Sequence, residues 1–226
     1  MVAAVVAVTC VSLGFWQLRR LEDRRALNAR IVRARATPAR TVRAAEDVAG
    51  LAPFRRVEAA GTYDADGEVL LYGRSLAGRP GHHVVTPLAL RDGTGILVIR
   101  GWVPFGVDAA PVRGPLAAVA GDVVVEGWLL PPETRGRSTP DRRGVIGALD
   151  IEGIGDRVGF PLAPMAIQLR AQRPTSAGAP TPIPPPELSE GPHLSYAIQW
   201  FSFAAVAMAG AAILLRRERR GATATP

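Results

Sequence analysis

The sequence predicts a membrane α+β protein: two transmembrane helices flanking a mostly antiparallel, β-rich extracytoplasmic domain of five to seven strands with one short helix. Three observations predict it. An uncharged run lies towards each end of the 226-residue chain, at 1–18 and 194–215. Between them, short segments rich in Val, Ile and Leu alternate with Gly, Asp and Pro turns. Positive charge gathers beside the apolar runs: residues 19–43 hold nine Arg against Glu22 and Asp23, and "RRERR" stands at 216–220, whereas residues 44–193 hold 14 Arg against 17 acids.

Residues 1–18, "MVAAVVAVTCVSLGFWQL", would rise roughly 27 Å as a helix, just enough for a hydrocarbon core. The run lacks a basic leader and a small-x-small cleavage site, so a retained signal anchor is expected rather than a cleaved peptide. "AVTC" makes a poor lipobox, because Thr9 is bulky ahead of Cys10. No polar residue precedes the run, so translation is expected to start upstream of Met1. Residues 19–43 form an Arg-rich juxtamembrane segment, whose part 20–36 suits a helix continuing out of the membrane on Leu21, Leu27 and Ile31. The domain at 44–172 opens with five strand-like segments at 55–63, 68–75, 82–90, 95–103 and 122–130, closely spaced and so hairpin-connected. Segments 145–149 and 165–170 supply a sixth and a seventh strand. "DIEGIGDRVGF" between them reads as a short helix capped by Asp150. Residues 173–192 are Pro-rich and read as an extended, semi-rigid linker. The second span, 193–215, carries a 22-residue uncharged run, about 33 Å as a helix. A basic tail closes the chain at 216–226.

Four Arg at 216–220 place the C-terminus in the cytoplasm by the positive-inside rule. The Arg-rich 19–43 segment argues the other way, but long intervening segments translocate largely regardless of charge. The expected topology is two-span, in the cell membrane, with both termini cytoplasmic and the central domain outside. All 27 basic residues are Arg and Asn28 is the lone Asn, a pattern of biased codon usage. The basic excess sits beside the spans, which points to lipid headgroups as partner and not to nucleic acid.

Catalytic signatures are missing. The single cysteine, Cys10, permits neither an intrachain disulfide nor a CxxC site. "GRSLAG" at 73–78 echoes a nucleophile elbow, but Ser75 leaves a strand into a hairpin instead of a helix. His82 and His83 are adjacent on one strand and point to opposite faces, so they cannot easily share a metal; one is expected buried and hydrogen-bonded, the other exposed. Arg100, in "LVIRGWVP", is expected on the polar face of an amphipathic strand. No catalytic residue is assigned, and the chain is expected not to be an enzyme.

The polar residues opening the second span stand out. At 100° per residue, Tyr196 lies about 60° and Trp200 about 20° from His193, so the three share a helical face, flanked by Gln199. The first span ends in Trp16 and Gln17 at the same outer level, and the two Trp-Gln pairs facing each other would satisfy both amides. Two readings stand. One is an interfacial belt, which accounts for the aromatic rings. The other is a ligand or partner site at the outer leaflet, with the imidazole of His193 as haem-iron ligand.

"GFWQLRRLEDR", "FRRVEAAGTYD", "GRPGHHVVTPL", "ILVIRGWVP" and "PHLSYAIQWFSF" occur in that order, and together they carry a resemblance. The chain resembles the Surfeit locus protein 1 family of cytochrome c oxidase assembly factors, in a bacterial, actinobacterial-type form. The resemblance implies a two-span membrane chaperone with its central domain on the periplasmic side, which assists maturation of oxidase subunit I, around heme a insertion, alongside other assembly factors. It implies transient heme a binding, with His193 as ligand, and Tyr196, Gln199 and Trp200 beside it. Trp16 and Gln17 fall on the first-span motif. Gly61, Arg100, Gly101 and Trp102 fall on positions read as structural. The Arg-rich stretch 131–147 departs from the family pattern, as does the missing cytoplasmic lead-in. The alternative is a haem-independent membrane scaffold that docks nascent oxidase subunits.

Overall fold

The uncharged and strand-like segments fold as α1 (Val2–Ala36), β1 (Arg40–Val42), β2 (Arg56–Tyr63), β3 (Val69–Leu76), β4 (Arg79–Leu90), β5 (Gly95–Pro104), β6 (Asp122–Leu130), β7 (Val145–Ile146), α2 (Ile151–Gly155), β8 (Ala166–Arg173) and α3 (His193–Ala222). The computed structural model describes residues 2–133, 138–176, 178–185 and 188–222, with no side chains given for 218–222. Part of the Arg-rich 131–147 stretch and the last residues of the basic tail, 223–226, therefore lie outside the described residues. Two units emerge, residues 31–186 and a helix pair built from the two chain ends.

In the first unit the sheet closes on itself. β2 pairs with β6, β6 with β8, β8 with β5, β5 with β4, and β4 again with β2. All these pairings are antiparallel except β5 with β8. β3 extends along the edge of β4 beyond the point where β2 leaves it, and β7 and β1 add short outer strands. The sheet thus has eight strands among the described residues, against five to seven expected. Three-residue β1 and two-residue β7 carry too little alternation to be seen in sequence.

Alternation fills the barrel interior. Val57 and Ala59 of β2, Val123, Val125 and Leu129 of β6, Leu88 and Leu90 of β4, and Ile96 and Val98 of β5 point inward. The opposite face of β5 is also covered. Leu97 and Ile99 join Val69, Val85, Ile146, Leu149 and Ile154 in a second cluster under α2. Asp150 caps α2 as expected, its carboxylate accepting from the Gly153 N–H at 3.1 Å. A strand buried on both faces reads as a continuous apolar run, which explains "ILVI".

Arg100 corrects the sequence reading. It is 6% exposed, not on a polar face. The register between β4 and β5 slips between Val84 and Val85, leaving Arg100 as the extra residue of a β-bulge. A bulge re-aims a side chain, here into the interior. There the Arg100 Nη2 meets Glu68 Oε2 at 2.7 Å, Nε donates to Thr86 Oγ1 at 2.7 Å, and Nη1 donates to the Leu116 carbonyl at 3.1 Å. Glu68 also accepts from the Thr86 hydroxyl at 2.5 Å and from the Val112 N–H at 2.7 Å. Both charges are paired and hydrogen-bonded, the condition for tolerating them inside.

The histidine pair also differs from expectation. His82 is the buried one, yet its Nδ1 has no hydrogen-bond partner and its Nε2 stands 3.8 Å from Asp108 Oδ1. His83 is half-buried, not exposed. Burial, with the Arg74 guanidinium adding to it, pushes the His83 imidazole down to about 4. The unfolded chain therefore binds a proton near pH 6.5 that the folded one refuses until about pH 4, so stability should fall as pH drops through that window. Urea unfolding of the full chain at pH 7 and pH 5 should show this loss, and His83→Gln should flatten it.

Around residues 181–184 the Pro-rich segment is held against the sheet. Trp102 and Thr181 exchange two backbone hydrogen bonds of 2.8 Å, and the Gln168 amide donates to the Ile183 and Pro184 carbonyls. Its prolines exclude a regular strand, but one isolated bridge suffices to lay it on the sheet.

The second unit holds two helices long and apolar enough to cross a membrane, one near each end of the chain. They pack antiparallel: Phe15 meets Phe201 edge-on at 5.4 Å, while Arg25 forks onto Glu190 with two 2.9 Å bonds. Small residues line the seam, Ala7, Cys10 and Gly14 on α1 and Ala197 and Ala204 on α3, which lets the backbones approach. Thr9, Ser12 and Ser202 return their hydroxyls to carbonyls four residues back, so these three hydroxyls are satisfied within their own helices.

Candidate functional site

α1 places Trp16 and Gln17 opposite the first turn of α3, where His193 opens the helix. His193 Nδ1 lies 2.9 Å from Gln17 Oε1. A carbonyl oxygen only accepts, so Nδ1 donates in this contact, and in the neutral ring Nε2 is then the nitrogen with the lone pair. This is the arrangement by which a second residue orients an imidazole that ligates a metal. Gly191 lies just ahead with φ +70°, and a Cβ there would stand 3.5 Å from Nε2. Glycine at 191 therefore serves the backbone bend, and a Cβ there would rest in van der Waals contact with the imidazole edge that carries Nε2.

The chain entering α3 is clamped from α1. Ser189 O accepts from Arg24 Nε at 3.1 Å and from the Asn28 amide at 3.3 Å, beside the Arg25–Glu190 pair. These bonds are exposed and screened, so they fix position more than they add stability. Tyr196 and Trp16 present exposed rings, and Trp200 is half-buried against Phe203, edge-on at 5.9 Å. Gln199 is exposed and takes no part in the Gln17 bond. The structure thus brings Gln17 to His193 rather than to Gln199. Of the residues singled out in sequence, Trp16 directly precedes Gln17 on α1, and Tyr196 and Trp200 follow His193 by about one and two turns on α3. Gly191 was missed; its position two residues ahead of a histidine that opens a helix was the available signal.

An imidazole with one nitrogen fixed, at the opening of an apolar helix that also carries Tyr196 and Trp200, suits an iron-centred planar macrocycle. Among the described residues no group of three or more His, Cys, Asp or Glu gathers, so iron held by the macrocycle fits better than a bare ion.

A model of the SURF1 family matches residues 4–205, from within α1 to within α3. The chain belongs to the SURF1 family. This SURF1-family chain is 30% identical to an uncharacterised SURF1-like protein of Mycobacterium tuberculosis over 186 residues, which is 77% of the chain and 67% of that protein. It is 29% identical to a SURF1-like protein of Monosiga brevicollis over 238 residues, 98% of the chain and 90% of that protein. A SURF1-like protein of Rickettsia felis is 31% identical over 104 residues, and the match spans 45% of its length. The family match takes in the barrel together with both sides of the Gln17–His193 bond.

Proposed function

We propose that this SURF1-family protein is a non-catalytic assembly factor for a haem-copper cytochrome c oxidase, and that its helix pair receives heme a as cargo and passes it to subunit I. The observation that carries this reading is the Gln17–His193 bond, which leaves His193 Nε2 available beside Gly191. His193 would hold the iron through Nε2. Gln17 orients the ring, Gly191 leaves room, and Tyr196, Trp200, Gln199 and Trp16 supply the surrounding aromatic and amide surface. The helix pair would span the cell membrane with both termini cytoplasmic and the barrel outside, a placement supported by the arginines that follow the second span.

The test is optical. Purified full-length protein given heme a should develop a low-spin absorption spectrum, and His193→Ala should abolish it. Gln17→Leu should weaken binding by about 10- to 100-fold, the range for losing an orienting partner. Gly191→Val should weaken it by crowding Nε2. An unchanged spectrum in His193→Ala would sink the ligand assignment. In that case, crosslinking from Trp16 or Trp200 to subunit I in cells lacking heme a would favour the haem-independent scaffold.

A further inference from the structure

Every exposed large apolar side chain among the described residues lies on α1 or α3 except two, Tyr72 at 55% and Phe105 at 44%. The two are adjacent in space. Their rings stack at 5.6 Å and 15°, and His82 tilts against both, 4.9 Å from Phe105 and 5.6 Å from Tyr72. Local backbone design puts them there. The β3–β4 register slips between Leu71 and Arg74, so Tyr72 and Gly73 together oppose one residue of β4. Gly73 takes the positive φ of +73° such a bulge needs, and Tyr72 turns outward over His82. Phe105 follows directly on the end of β5.

These rings floor an open cavity of ≈ 380 Å³, walled by Asp108, Arg143 and Val145. That is within the range of specific ligand pockets, roughly 300–1,000 Å³. The wall offers one acceptor and one donor of opposite charge. Asp108 is also held by the Gly106 N–H at 3.2 Å, and Arg143 lies only loosely against Asp141 at 3.9 Å. A net cation would meet Arg143 and a net anion would meet Asp108, so the occupant that fits both is neutral, with an N–H for the carboxylate and a C=O for the guanidinium. A peptide unit is that group, and the stacked rings complement an aromatic side chain on it.

We propose that the Tyr72–His82–Phe105 pocket binds an aromatic residue of a partner polypeptide, its ring against the aromatic floor and its backbone N–H and C=O to Asp108 and Arg143. The site is separate from His193 and does not rest on the heme a reading.

The chain has three histidines, so ring-labelled histidine gives three NMR signals, each assigned by one His→Gln variant. Full-length protein in micelles is titrated with N-acetyl-tryptophanamide, a blocked aromatic residue. The His82 signal should shift saturably while the His193 signal stays in place. Tyr72→Ala and Phe105→Ala should each weaken binding by about tenfold. Both side chains are exposed, and circular dichroism checks that the variants fold. No saturable shift at His82, an equal shift with N-acetyl-leucinamide, or full binding by the Tyr72→Ala/Phe105→Ala double variant overturns the proposal. Tighter binding of free tryptophan overturns it in favour of a free amino acid, and a shift caused only by anionic phospholipid vesicles overturns it in favour of membrane contact. Loss of the His82 shift with heme a binding intact rejects the pocket alone.

Discussion

Arg100→Leu should destabilise the barrel unit by about 3–5 kcal/mol, the range for removing one member of a buried ion pair. The size follows from what remains. Glu68 is 1% exposed and would be left buried without its cationic partner, and Thr86 would lose its Nε donor. The Leu116 carbonyl would also lose its donor. Glu68→Leu should cost a comparable amount, because it strands Arg100 and leaves the Val112 N–H unpaired. The double variant removes both charges together, so it should recover part of the loss, and the cycle should report strong coupling. Urea unfolding of the full chain, followed by near-ultraviolet circular dichroism, measures this. Single-variant costs under about 1 kcal/mol would mean that the pair is worth no more than an exposed one.

Gly61→Ala should be about as damaging, for a different reason. The ring closes where β2 meets β4, through only Gly61↔Leu90, Thr62↔Ala89 and Tyr63↔Leu88. A Cβ on residue 61 would lie 2.1 Å from the Ala89 carbonyl oxygen and 3.2 Å from Leu88 Cγ. The obstacle is main chain and cannot rotate aside, so the two strands must part at the seam. A cost of about 3 kcal/mol or more is expected, at the upper end of overpacking. Ala60→Ser, one residue earlier with an exposed side chain, should stay within about 0.5 kcal/mol. Equal melting temperatures for the two variants would show that the seam yields at no cost.

Much of the fold was legible because it depends on local pattern. The uncharged runs at both ends, the alternation in β2 and β6, and the Asp150 cap are properties of consecutive residues. What stayed hidden depends on register. Arg100 and Tyr72 both sit at bulges, and a bulge exists only relative to its partner strand, so neither the inward turn of the first nor the outward turn of the second is written in its neighbours. Glu68 opens the expected 68–75 strand and has no local mark of its role, because its partner lies 32 residues away. At the candidate site, the level shared by Trp16–Gln17 and the start of α3 could be inferred from span lengths. The choice of His193 over Gln199 as partner of Gln17 could not, because it turns on the rotation of one helix against the other.

The identity of the side chain behind His193 sets how firmly the ring could grip a metal. A carboxylate behind an imidazole donates electron density through the shared proton and makes the ring a harder-holding ligand. Gln17 is a neutral amide: it aims the imidazole without that push, and it does not titrate. On the proposed reading, such a hold would be weak by construction, which suits a carrier that must let go.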